Sequence, residues 1–407
     1  MAPLLDKKIS VQIVASIRSD PKLGEPKQMV GYIKPATTTA LISVITIRIN
    51  KILYSTHLPL RMTTSQHFTA LPGSVILCSG ILYSTSEKRV AALFAEHGTI
   101  TVVHGSGTIG RITGATRSDF RNVALRVGGV SGALIPGLVL GDTSLETHAF
   151  VNDMLLSGLT HLTAVSGENF AIIAAFMLWL LQWVIPNLRA RLFICAVVLV
   201  GFIFLVRPSP SVLRASVMVS VLLIAKARGV KSSSLAALGL AIALLILIDP
   251  FEATDPGFAL SVAATAGILL LFEPVTLWLQ KFVRYRRLAE LLAISISANL
   301  VCTPLTIAIS GQFSIMSLPS NFFVEPVVAP ITIVGFVAAL ISPFAMQFSY
   351  LLTLTQKPFS AVIVWVATNF ARVPVIHLDK GFKGGAVGVL VLTFGWIALR
   401  WRSWGSH

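Results

Sequence analysis

A short stretch of this chain carries an unusual density of polar chemistry beside apolar runs. Gly158-Leu159-Thr160-His161-Leu162-Thr163-Ala164-Val165-Ser166-Gly167-Glu168-Asn169 leads straight into a hydrophobic segment. Glu168 and Asn169 at a helix start, with His161 and Ser166 just before them, can line a hydrated path through an apolar bundle. The same Ser and Glu can equally cap the first amides of an interfacial helix. Arg214 falls early in a second apolar run, after Pro208 and Pro210. It can snorkel outward, or face the bundle and hold a phosphate or pair with Glu168 or Asp255. Asp255 precedes Pro256-Gly257, where N-capping is the simplest role. Asn299, Gln312, Asn321 and Glu325 form a further polar group among apolar residues, either as a transport site or as helix–helix glue. Pro304, Pro319, Pro326 and Pro330 nearby predict broken helices, which at polar positions mark transport sites. A serine hydrolase built on Ser166 and His161 is the other chemistry available. Their spacing gives no reason for a hydrogen bond, and a Gly-x-Ser-Gly motif fails because Ala164 stands where its first glycine would be.

The elements that must hold these residues are membrane helices. Of 407 residues, 55% are hydrophobic and 12% charged, with a mean hydropathy of +0.81. A soluble domain carries about 25% charged residues, so much of this surface must face lipid. A charge at the bilayer centre costs roughly 2.5–3.5 kcal/mol on insertion scales, so the buried charges need a pore, a partner or the interface. Apolar runs are read at about 164–185, 191–206, 211–227, 234–249, 256–273, 289–310, 322–342, 359–376 and 385–400. The fold class expected is therefore a polytopic α-helical membrane protein with about eight or nine membrane helices, some of them broken. Residues 131–407 form this part.

Residues 1–130 differ. They hold 15 Lys/Arg against 6 Asp/Glu and no run long enough to span a bilayer. Short β-branched stretches such as Ile9–Ile13, Leu41–Ile52, Ser74–Cys78, Gly80–Tyr83 and Gly98–Val103, punctuated by Gly and Pro, predict about five strands. An OB-like small β-barrel suits that count. Basic residues follow the first, third and fifth apolar runs, which puts those loops in the cytoplasm and the β domain outside. Residues 1–20 contain no leader, so the sequence predicts a fragment lacking upstream membrane helices, with an unusual insertion route as the alternative.

Four ordered blocks carry a resemblance. They are Gly137-Leu-Val-Leu-Gly-Asp-Thr-Ser with Gly158–Asn169; Pro210-Ser-Val-Leu-Arg-Ala215; Asp249-Pro250 with Gly257-Phe-Ala-Leu-Ser261; and Gly311-Gln-Phe-Ser314 with Asn321. Together they resemble the signature of the ComEC competence-protein family. That resemblance implies an inner-membrane channel for transforming DNA, preceded by an extracytoplasmic OB-like domain. The implied partners are single-stranded DNA, membrane lipid, and a separate cytoplasmic ATP-driven motor with DNA-binding competence proteins; self-association into a homo-oligomer is a further option. The family's upstream helices and its C-terminal metallo-β-lactamase-like domain have no counterpart here, and no His-x-His-x-Asp-His cluster occurs. Neither a Walker A motif nor a Cys-x-x-Cys is present, so no cofactor, metal or motor chemistry is read from the sequence, and the chain is not read as an enzyme. DNA could stack on Tyr32, Tyr54, Phe68, Tyr83 or Phe94 of the β domain, each of which also suits a core. Composition alone supports a solute or lipid transporter equally well, and a truncated, inactive relic is the remaining reading.

Overall fold

The computed structural model describes residues 10–24, 27–29, 32–34, 37–49, 52–66, 68, 70–85, 90–163, 167–207, 210–227, 233–377, 381 and 385–386. The chain divides into two compact units, Met1–Ser118 and Asp119–His407.

The first unit is a sheet. Its strands are β1 (Ser10–Ile17), β2 (Lys22–Leu23), β3 (Lys27–Met29), β4 (Tyr32–Lys34), β5 (Thr38–Ile49), β6 (Ile52–Thr64), β7 (Val75–Tyr83), β8 (Ala92–Glu96) and β9 (Thr101–His104). Alternation places Val11, Ile13, Ala15 and Ile17 of β1 inside, with Ile76, Cys78 and Leu82 of β7 and Ala92 and Phe94 of β8. Strand β1 pairs antiparallel with both β5 and β7. Strand β5 pairs antiparallel with β6, β6 runs parallel to β8, and β8 is antiparallel to β7. The pairings thus lead from β1 through β5, β6, β8 and β7 back to β1. Register shifts at Val14/Ala15 and Val44/Thr46 mark bulges, which bend and twist strands. The expected single strand across Leu41–Ile52 is in fact a hairpin, β5 ending at Ile49 and β6 starting at Ile52.

Two of the aromatic side chains offered for stacking are withdrawn. Phe94 is completely buried in the sheet core and Phe68 packs against it; Tyr54 and Tyr83 remain exposed. The Tyr32 side chain lies outside the described residues. Inside the core, Glu96 accepts a hydrogen bond from Thr64 Oγ1 at 2.6 Å. Burial, with Glu96 beside it, pushes the Cys78 thiol up to about 12. The unfolded thiol ionises from its ordinary value of 9.0, so this contribution to stability is whole below that pH and is lost as pH rises towards 12. Iodoacetamide at pH 8 should therefore leave Cys78 unmodified in the folded protein and alkylate it once denaturant is added; peptide mapping by mass spectrometry reads this directly.

The second unit is helical. Helix α1 (Thr108–Val127) crosses the boundary between units and is followed by α2 (Gly129–Leu140), α3 (His148–Leu156), α4 (Gly167–Leu181), α5 (Leu188–Val206), α6 (Pro210–Ala227), α7 (Ser234–Ile248), α8 (Pro256–Leu279), α9 (Arg286–Ser310), α10 (Ser317–Ile341) and α11 (Met346–Phe370). Among the described residues, α5, α8, α9, α10 and α11 are long and apolar enough to cross a membrane. Helix α4, expected as a full span over 164–185, has 15 residues. At 1.5 Å per residue it is roughly 22 Å long, short of the ~30 Å hydrocarbon core. The run at 385–400 lies almost wholly outside the described residues.

Three further findings depart from the sequence expectation. Helices α1 to α3 occupy a stretch for which no span is predicted. Helix α2 has its C-terminal two-thirds buried, with Leu134, Ile135, Leu138 and Val139 in the main core. Helices α9 and α10 run continuously through Pro304, Pro326 and Pro330, so prolines there do not break the helices. The span expected over 359–376 begins instead at Met346, because α11 continues through Gln356-Lys357-Pro358. Gln356 is buried, and Lys357 Nζ reaches the Val127 carbonyl at 3.1 Å, where a cation suits the C-terminal end of α1. The core is centred on Phe170, Phe202 and Phe336, whose rings meet at 6.1 Å and 5.3 Å.

Candidate functional site

The site is built around the first turn of α4. Before it, Gly158 adopts φ +80°, a conformation that favours glycine, and its missing side chain lets the turn lie against Ser317 at the start of α10. Ser314 Oγ donates to the Leu156 carbonyl at 2.6 Å and fixes the same junction. His161 follows, exposed on the single helical turn Thr160–Leu162.

Arg214, four residues into α6, is buried at 4% exposure. Its Nη1 donates to Thr265 Oγ1 at 2.6 Å and to the Ser261 carbonyl, both on one face of α8. Among the described residues the guanidinium therefore meets hydroxyl and carbonyl oxygens, not Glu168 or Asp255. Among the described residues its Nε, also buried, has no hydrogen-bond partner. A side chain at Gly167 would place its Cβ 3.0 Å from Arg214 Nη2, so glycine there lets α4 begin directly against the guanidinium. A cation facing a helix N-terminus joins two positive ends, an arrangement that attracts anions.

Glu168, exposed in the first turn of α4, offsets part of that field and lies within electrostatic range of Glu325 on α10. Glu325 accepts from Ser295 Oγ of α9. Asn299, one turn along α9, donates to the Ser295 carbonyl at 2.9 Å and accepts from Ser317 Oγ at 3.2 Å. Ser317, Asn321 and Glu325 are spaced i, i+4, i+8 on α10, opposite Ser295, Asn299 and Thr303 with the same spacing on α9. Asn321 is half-buried in that row. The result is a polar seam through otherwise apolar helices.

The structure thus brings Glu168, Arg214, Asn299, Asn321 and Glu325 into one region. It assigns other work to three predicted residues. Asn169 is buried and faces away from Arg214's helix: Nδ2 donates to the Leu138 carbonyl at 3.0 Å and Oδ1 accepts from Thr332 at 3.4 Å. Asp255 caps α8, accepting from the Phe258 amide at 2.8 Å. Gln312 sits in a two-residue ladder with Ile376–His377. Ser166 lies outside the described residues. Ser261 enters the sequence reading only as the end of a resemblance block, and Thr265, Ser295 and Ser317 do not enter it; the signal for them is small polar residues four apart within apolar runs, Ser261/Thr265, Ser295/Asn299/Thr303 and Ser317/Asn321.

A family model described as "Competence protein" matches residues 138–404. The chain belongs to the competence protein family. Glu168, Arg214, Asn299, Asn321 and Glu325 all fall inside the matched residues. ComE operon protein 3 of Bacillus subtilis (strain 168) is 26% identical over 260 residues, 61% of this chain and 31% of that protein. The chain thus spans about a third of that relative's length. No solved structure matches.

Within the competence region, Asn169 and Arg214 should separate experimentally. Truncating Asn169 to Ala leaves the Leu138 carbonyl and Thr332 without this partner at a buried position. The expected cost is about 1–3 kcal/mol of stability, seen as a lower melting temperature of the purified protein.

Proposed function

We propose that this chain conducts single-stranded DNA across the cytoplasmic membrane during natural transformation. The observation that carries the reading is the buried Arg214 guanidinium abutting the start of α4, inside an apolar helical unit and beside a row of amide and hydroxyl groups. A single strand carries one negative charge per nucleotide and needs donors along a hydrated path. Arg214 and the first amides of α4 supply positive potential. Asn299 and Asn321 supply neutral hydrogen bonds, and His161 stands at the entrance to the turn. Glu168 and Glu325 supply the opposite sign. A polyanion passing between them is attracted on one side and repelled on the other, which favours passage over retention, as conduction requires. Membership of the competence family supports the substrate class.

In the same reading, residues 131–407 are the channel and residues 1–130 an extracytoplasmic receiving domain. The circuit of pairings β1–β5–β6–β8–β7–β1, with its one parallel pair, supports an OB-like barrel for that domain. Lys281 and Arg284 between α8 and α9, with Arg286 and Arg287 opening α9, support a cytoplasmic position for that loop. Pulling force comes from a separate ATP-driven motor with DNA-binding competence proteins.

The test is reconstitution of the purified chain in liposomes with a labelled oligonucleotide outside and complementary strand trapped inside. The expected result is nuclease-protected single strands annealed in the lumen, and none with duplex DNA. Absence of protected strands, with the protein folded and inserted, would overturn the proposal.

A further inference from the structure

The hairpin between β5 and β6 extends beyond the sheet core. Ile52, Leu53 and Tyr54 are 56%, 59% and 49% exposed, although each is large and apolar or aromatic. Successive strand residues point to opposite faces, so Ile52 and Tyr54 share one face and Leu53 occupies the other. Each face of the arm therefore presents an exposed apolar side chain, Ile52 and Tyr54 on one and Leu53, opposite Arg48, on the other. Opposite them on β5, Arg48 pairs in register with Leu53 and Ile49 with Ile52. Arg48 is exposed, its Nη1 donating to Gln12 Oε1 at 3.0 Å. Three consecutive exposed apolar residues are unusual in a water-facing strand and mark an interaction site.

A partner lying against a sheet covers one face. Exposed apolar side chains on both faces of one projecting arm are covered together by immersion at the boundary of an apolar medium, where Arg48 keeps its charge at the polar side. The same chain supplies that medium's anchor: it carries five helices long and apolar enough to cross a membrane, so a bilayer is permanently tethered to this unit. The flanking chemistry fits the headgroup layer, where tyrosine and arginine sit between acyl chains and water. We infer that the β5–β6 hairpin tip dips into the headgroup region of the bilayer, with Ile52, Leu53 and Tyr54 as its embedded residues and Arg48 at the phosphate level.

The experiment uses the full chain in nanodiscs of phosphatidylcholine and phosphatidylglycerol. An environment-sensitive fluorophore is attached at Leu53→Cys or, separately, at Tyr54→Cys, to read the two faces. Cys302→Ser removes the half-buried thiol, while Cys78 and Cys195 are buried. Thr101→Cys, exposed and polar in the same unit, is the control. Lipids with a nitroxide near the top of the acyl chain should quench both tip labels at least about threefold more than the control, as expected for a residue buried in the acyl–headgroup boundary. Aqueous iodide should do the reverse. Quenching confined to one face would mean a surface-lying partner and would overturn the inference. So would tip labels that track the control, or labels that ignore lipid nitroxide but are shielded by added single-stranded oligonucleotide. The readout needs no DNA transport, so its failure and that of the channel proposal are distinguishable.

Discussion

Replacing Arg214 with Ala should lower DNA uptake by about 10- to 100-fold while leaving membrane insertion intact. A hydrogen bond to a charged group is worth about 1.5–3 kcal/mol, and each 1.4 kcal/mol is a factor of ten. The fold tolerates the change because the groups left behind already serve one another: Thr265 Oγ1 donates to the Ser261 carbonyl at 3.0 Å, within α8's own turn. Removing a buried guanidinium with an unmatched Nε also relieves a desolvation cost. Arg214→Lys keeps the charge and loses the planar fork, so an intermediate effect is expected. Uptake measured alongside the amount of inserted protein distinguishes loss of function from loss of fold. Normal uptake in Arg214→Ala would remove Arg214 from the pathway.

The second large effect concerns stability of the sheet unit. Gly80 faces β8 where β7 and β8 pair. A Cβ at Gly80 would stand 2.2 Å from the Ala95 carbonyl oxygen and 2.7 Å from the Phe94 ring. The first of these is backbone held in the ladder, which cannot turn aside as a side-chain tip could. Overpacking costs typically 1–3 kcal/mol, and Gly80→Ala belongs at the upper end. For a unit of about 100 residues each kcal/mol shifts the melting midpoint by roughly 4–8 °C. A fall of about 10–20 °C is therefore expected in the temperature at which protease cuts within residues 10–104. The helical unit should stay resistant over the same range. An unchanged midpoint would mean that β7 and β8 do not pair as described.

Both predictions rest on features of unequal legibility in the sequence. The polar residues of the seam are visible as charges and amides inside apolar runs, and their four-residue spacing on α9 and α10 places them on facing sides. Local periodicity likewise reveals β1, β5 and β7. What is hidden is long-range. That β1 pairs with β7, and β6 parallel with β8, depends on contacts between segments dozens of residues apart, and nothing in the alternation of either strand specifies its partner. Helix α2 escaped because Gly129, Gly132, Pro136 and Gly137 read as loop; packing of Leu134, Leu138 and Val139 into the core overrides that propensity. Arg214's partners escaped for another reason. A charged residue suggests a carboxylate partner, whereas Ser261 and Thr265 supply a carbonyl and a hydroxyl that are inconspicuous in sequence. Asn169 shows the converse: adjacency to Glu168 suggested a shared role, but neighbours on a helix point about 100° apart, and Asn169 turns into the core.

In the proposed path the strand passes between Arg214 with the start of α4 on one side and the polar seam of α9 and α10 on the other. The most direct measurement is photocrosslinking from defined positions during uptake. A photoreactive phenylalanine analogue is placed at Asn321, in the seam, and at Leu247, which is 82% exposed on α7. The account predicts crosslinks to labelled single-stranded DNA from Asn321, lost in the Arg214→Ala background, and only lipid adducts from Leu247. DNA crosslinks from Leu247 with none from Asn321, in protein that still imports DNA, would contradict it.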